Sequence, residues 1–133
     1  MRPMGLYQHF KAKGYDFFVG VPCSYLADFI GELRADPEMT YIPAVREDVA
    51  VAIAVGAYMA GRKPLVYLQS SGLGHLVNPI TSLLKPYGIS IHLLISLRRQ
   101  PFEHFEMYRI ARELLELLEY DDVTLVEEPL CGE

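Results

Sequence analysis

Glu47 follows a run of strand-forming residues and opens an apolar helical stretch, and that placement allows it two chemistries. At a helix start, a carboxylate favours the N-terminal dipole, and its neighbour Asp48 can do the same. In an apolar crevice, a carboxylate can instead share a proton with a ligand nitrogen. The residue pattern leaves both open, with the helix-terminus role the plainer one. Gln69-Ser70-Ser71-Gly72-Leu73-Gly74 is a polar, glycine-containing segment between a strand and a helix pattern. Its backbone N–H groups can meet an anion. It matches neither GxGxxG nor GxxxxGK[ST], so the case for a nucleotide is weak, and an ordinary turn is the alternative. Asn78 and Ser82 share a helix face at i, i+4 spacing, where they either point into a crevice or cap nearby backbone. Cys23 precedes a helix start, where a thiolate is favoured, but no histidine is near it in sequence, and a structural thiol is the better reading. His75 and His104 stand apart, without metal-ligand spacing to another His, Cys or acid.

Alternating patterns must position these groups. Residues 5–13 read as a short amphipathic helix, 15–21 as a buried strand, and 25–34 as a helix with Ser24 as its N-cap. Residues 39–45 form a second strand pattern, 47–60 a helix closed by Gly61, and 64–69 a third strand. Residues 70–74 read as a loop and 75–84 as a helix broken by Pro86 and Gly88. A fourth strand over 89–97, a helix over 103–118 and a last strand over 123–126 complete the pattern, before an acidic tail. Tyr41, Tyr58 and Tyr67 fall inside elements and read as core. Strands apolar on both faces, alternating with helices, predict an α/β fold: a three-layer αβα arrangement around a mostly parallel sheet. Ligands bind such sheets at the carboxyl ends of the strands, so the loops 21–24, 46–48 and 69–74 are expected to meet at one crevice.

The 133 residues fit a single domain, taken here as 1–133. Half of them are hydrophobic (51%), which is apolar enough to predict a buried subunit interface. A net charge of −5 without a basic cluster argues against nucleic acid. The longest apolar run, 49–61, is short of the roughly 18–20 residues that span a bilayer, so no membrane segment is expected. No basic and apolar leader pattern is present, and Cys23 and Cys131 lack framework or metal spacing. The expected compartment is the cytoplasm.

Three segments, in order, carry a family resemblance: Gly20-Val21-Pro22-Cys23-Ser24, Arg46-Glu47-Asp48-Val49-Ala50-Val51-Ala52-Ile53-Ala54, and Gln69-Ser70-Ser71-Gly72-Leu73-Gly74 with Asn78-Pro79 and Ser82-Leu83. From about residue 5 to 118 the chain resembles the pyrimidine-binding domain of thiamine-diphosphate-dependent phosphonopyruvate decarboxylases and sulfopyruvate decarboxylase alpha subunits. The resemblance implies that Glu47 bonds to the cofactor's aminopyrimidine ring nitrogen and promotes cofactor activation. It implies a cofactor-binding set of Glu47, Pro22, Gln69, Ser70, Ser71, Gly72 and Asn78. Ser24, Ser71 and His104 become candidates for the acidic tail of a 2-oxo acid substrate, joined by Arg98 from its place at a strand end. His104 aligns with the family histidine, because Met107, Ile110, Leu114 and Leu115 then fall into register.

The sequence departs from the family pattern at several places. Asp48 stands where a glycine is usual, Ser70 and His75 replace two asparagines, and residues 98–104 lack several residues of the family's Arg-Gly and acidic-Pro-Gln-His stretch. No Gly-Asp-Gly…Asn motif, which holds magnesium and pyrophosphate in this family, occurs in the sequence. The resemblance therefore implies a split enzyme. A separate diphosphate-binding beta subunit would hold Mg2+, the chain would self-associate within an α2β2 heterotetramer, and the active site would lie at the interface. A catalytically degenerate structural or regulatory partner, or a carboligase subunit, is the alternative.

Overall fold

A computed structural model describes residues 5–127. Their order is α1 (Leu6–Ala12), β1 (Phe17–Gly20), α2 (Ala27–Ala35), β2 (Thr40–Pro43), α3 (Glu47–Met59), β3 (Pro64–Gln69), α4 (Val77–Pro79), β4 (His92–Ser96), α5 (Phe105–Leu118) and β5 (Val123–Val126). All five strands are parallel, in the order β2-β1-β3-β4-β5. The chain reverses its direction of travel across the sheet between β1 and β3, and such a switch point leaves a crevice at the carboxyl ends.

Successive strand residues face opposite layers, and the core divides accordingly. Phe18, Leu65, Tyr67 and Leu94 pack with Leu6, Tyr7, Phe10 of α1 and Phe29, Leu33 of α2. Val19, Val66, Leu68, Leu93 and Ile95 pack on the other side with Ala50, Val51, Ala54 of α3, Leu73, Leu76, Ile80, and Ala111, Leu115 of α5. Strands buried on both faces explain the uninterrupted apolar runs of β3 and β4. Val45, Val49, Tyr58 and Met59, within and beside α3, remain exposed, so Tyr58 is not the core residue expected from the sequence. No helix among the described residues is long and apolar enough to cross a membrane.

Three local expectations are corrected. Ser24 is not the cap of a regular helix: a 3-10 turn covers Ser24–Leu26, with Cys23 extended before it, and α2 starts only at Ala27. The Leu26 N–H reaches back three residues to the Cys23 carbonyl at 3.0 Å, which tightens this entry. The supposed loop over 70–74 and helix over 75–84 are instead a 3-10 segment (Ser70–Leu76), the single turn of α4 and a π-turn (Ile80–Leu84). Pro79 contributes no N–H, and the Thr81 hydroxyl donates to the Val77 carbonyl at 2.8 Å, so regular i→i−4 pairing is interrupted there. Before α5, Phe102–His104 is likewise a 3-10 turn. Cys131 and the acidic tail lie outside the described residues.

Asp36 joins the first two helices. Its carboxylate accepts from Tyr7 Oη (2.6 Å) and Lys11 Nζ (2.7 Å), and the Glu38 N–H donates to it at 3.0 Å. The Lys11 bond, then the Tyr7 and backbone bonds, hold its carboxyl down at about 2. A depressed carboxylate stabilises the fold above its unfolded pKa, near 4, and that contribution is lost as pH falls through the folded value. Asp36→Asn is therefore expected to lower the urea midpoint at neutral pH and to flatten its fall between about pH 4 and 2. Parallel wild-type and variant curves across that window would show that the contact contributes nothing.

Candidate active site

The site is assembled from strand ends, beginning at Glu47. β2 ends at Pro43, Arg46 is extended, and Glu47 is the first residue of α3. Its side chain is only 8% exposed. Burial of an acid at a helix start satisfies the dipole but goes beyond what a surface helix terminus requires. Asp48 turns outward, and Arg46 donates to both its carboxylate oxygens, at 3.1 and 3.2 Å. That pair holds the Asp48 carboxyl below its usual range. The two adjacent acids thus have different environments.

The segment after β3 closes over Glu47. A Cβ on Gly72 would lie 2.6 Å from Glu47 Cγ and nearer still to its carboxyl carbon and Oε2. Only glycine lets the 3-10 backbone approach the acid this closely. His75 Nδ1 lies 2.7 Å from Glu47 Oε1. The same segment organises its surroundings. Ser70 is fully buried, and its Oγ accepts from the Arg98 N–H at 3.0 Å. Ser71 Oγ is hydrogen-bonded to His104 Nδ1, which ties the segment to the start of α5. Gln69 Oε1 accepts from Arg98 Nη1 at 2.9 Å.

Of the four candidate substrate residues, Ser71 and Arg98 lie just beyond the carboxyl ends of β3 and β4. Ser71 and His104 meet on the α5 side. Arg98 continues β4 toward the α2 side, where its guanidinium lies 5.1 Å from the centre of the Tyr25 ring, beside Ser24. Its Nε donates to the Gln100 carbonyl at 2.8 Å. Pro22 and Ser24 line a cavity of about 340 Å³ with Cys23, Ala27, Ile30, Gly31 and Arg34, away from the Ser71–His104 pair. Cys23 Sγ and Ser96 Oγ are 3.4 Å apart in the core, which suits a structural thiol. Asn78 is exposed and donates to Ser82 Oγ at 3.4 Å. His75 is the residue that sequence reasoning left isolated. The one sequence signal for it was its place in the Gly72 loop, where it stands for a family asparagine.

No group of three or more His, Cys, Asp or Glu that could hold a metal ion exists among the described residues. The donor set instead suits an organic ligand with a ring nitrogen: one buried carboxylate, contacted at Oε1 by His75 and closely backed by the Gly72 backbone. Glu47 and Gly72 fit the aminopyrimidine end of thiamine diphosphate in this respect.

A parallel α/β sheet that gathers such a carboxylate and a glycine-containing segment at its carboxyl edge defines a ligand-binding doubly wound domain. The chain belongs to the family described as thiamine pyrophosphate enzyme, N-terminal TPP binding domain, which matches residues 5–115. It is 36% identical over 118 residues to a protein of Methanothermobacter thermautotrophicus named sulfopyruvate decarboxylase subunit alpha, covering 86% of this chain and 72% of that one. The protein of the same name from Methanocaldococcus jannaschii is 35% identical over 120 residues, 87% of this chain and 71% of the relative. A phosphonopyruvate decarboxylase of Streptomyces viridochromogenes is 37% identical over 113 residues, 81% of this chain but 28% of that longer protein.

Proposed function

We propose that the chain is the alpha-type subunit of a split thiamine-diphosphate-dependent 2-oxo acid decarboxylase of the sulfopyruvate/phosphonopyruvate kind, and that Glu47 is its activating carboxylate. The observation that carries this reading is Glu47 itself: an acid opening α3, buried, and covered by a segment that only glycine permits so close. Thiamine diphosphate, when bound, supplies the electron sink that lets a 2-oxo acid lose carbon dioxide. The chain's part is orientation and proton handling. Glu47 would bond to the aminopyrimidine ring nitrogen and could share a proton with it. Gly72, lacking a side chain, lets the backbone of this segment pack directly against the Glu47 carboxyl and hold it in place. Ser71 with His104, and Arg98 with Ser24, face the acidic end of the substrate. The retained Glu47 and the names of the relatives favour this reading over a degenerate partner or a carboligase subunit. A separate beta subunit holds Mg2+ and the diphosphate, the assembly is α2β2, and it is cytoplasmic.

The test is co-expression with a diphosphate-binding chain, followed by carbon dioxide release from 2-oxo acids with sulfonate, phosphonate and carboxylate tails. Release that requires both chains and bound cofactor is expected. A cofactor-loaded complex that decarboxylates none of the three would overturn the reading. In the active complex, Arg98→Ala is expected to raise KM for the preferred acid by about ten-fold or more, the effect of losing one charge-assisted hydrogen bond. An unchanged KM for every acidic substrate would remove Arg98 from the tail site.

A further inference from the structure

We infer that His75 is a positioning residue for Glu47 and the route by which the Glu47 carboxyl exchanges its proton with water. This rests on the reading of Glu47 above. The two side chains meet at 2.7 Å, yet they differ sharply in exposure: Glu47 is 8% exposed and His75 49%. The imidazole therefore has one nitrogen on the buried acid while its ring reaches solvent. A neutral imidazole accepts a proton at one nitrogen and releases one from the other, so a proton can pass along it without leaving net charge behind. The crowding of Gly72 against Oε2 fixes the carboxylate, which keeps Oε1 turned to His75. The charged groups around the histidine are Glu47 and Asp48 of α3, and Arg46 ties Asp48. From α5, the neighbour of this loop at Gly74 is Met107, an apolar side chain. Glu47 thus has a single titratable hydrogen-bond partner among the described residues.

Asparagine at this position can place an amide nitrogen where Nδ1 stands, but it cannot pass a proton on. That contrast separates holding from exchange. The first measurement needs no cofactor. Nitrogen-15 NMR of the ring nitrogens in the full chain is expected to show a hydrogen-bonded Nδ1 at His75, and Glu47→Ala is expected to remove that signature. An identical signature in both proteins would overturn the contact and leave the role of Glu47 untouched. The second measurement uses the cofactor-loaded complex and follows deuterium exchange at the thiazolium carbon against pH. His75→Gly is expected to slow exchange by on the order of 100-fold, and His75→Asn, the family residue, to keep Glu47 in place but lose the pH dependence that the histidine gives. Added imidazole is expected to restore exchange in His75→Gly. An unchanged pH profile in His75→Asn, or wild-type exchange in His75→Gly, would overturn the inference. If Glu47→Gln also exchanged at the wild-type rate, the assignment of Glu47 would fail instead.

Discussion

Glu47→Gln is expected to lower turnover of the assembled enzyme by on the order of 100-fold or more, the loss typical of a positioned acid–base group. Glutamine matches the shape of the side chain and can still bond to His75 and to a ring nitrogen, but its amide cannot take up and release a proton as the carboxyl does. A residue that only favours a helix start would behave differently. Its replacement would cost roughly 0.3–1 kcal/mol of stability and leave turnover alone. The burial of Glu47 beneath Gly72 separates these outcomes, since a dipole partner gains nothing from being closed off from water. Deuterium exchange at the thiazolium carbon measures the step directly. Equal rates in wild type and Glu47→Gln, at equal cofactor occupancy, would remove Glu47 from the mechanism. Fold and partner binding are expected to persist in the variant.

The second large effect concerns the fold. Gly20→Ala is expected to destabilise the chain by about 3 kcal/mol or more, the upper range for forced overpacking. Gly20 pairs with Tyr67 between β1 and β3, and an added Cβ would lie 2.6 Å from Tyr67 Cδ2 and nearer still to the Tyr67 carbonyl oxygen. Backbone in the middle of a sheet cannot yield as a flexible side chain can. A whole-domain stability of about 5–15 kcal/mol makes such a loss decisive. Gly31 on α2 is the internal control, because nothing lies within 4 Å of its added Cβ. Gly31→Ala is expected to be neutral or to stabilise by up to about 1 kcal/mol. Urea midpoints of the two variants compare them, and similar midpoints would contradict the packing at Gly20.

The legible parts of the fold are those written in local pattern. Pro64–Gln69 and Val123–Val126 were read to the residue because apolar runs bounded by Pro, Gly and acidic residues have few other uses. Glu47 was legible as the start of α3 for the same reason. The 70–84 region was not, because its irregularity arises from Pro79 and from the Thr81 hydroxyl competing for backbone carbonyls. Propensity suggests a helix there and cannot register such competition. Within the site, the importance of Glu47 and the 69–74 segment followed from the resemblance and not from spacing. The His75–Glu47 contact joins residues 28 apart on separate elements, so no periodicity could reveal it. The Ser71–His104 contact was equally hidden, because it joins residues 33 apart.

Glu47 hangs from β2, which lies at the edge of the sheet and contains no fully buried residue. Hydrogen exchange reports such edges as the first parts of a domain to open, well before global unfolding. The acid therefore follows an edge strand, next to the exposed Val45 and Val49. Any chain that covers this edge in its folded form stabilises it by mass action, in proportion to how far its concentration exceeds the dissociation constant. A chain that bound there would steady the strand that leads into α3, and would do so more fully as its concentration rose.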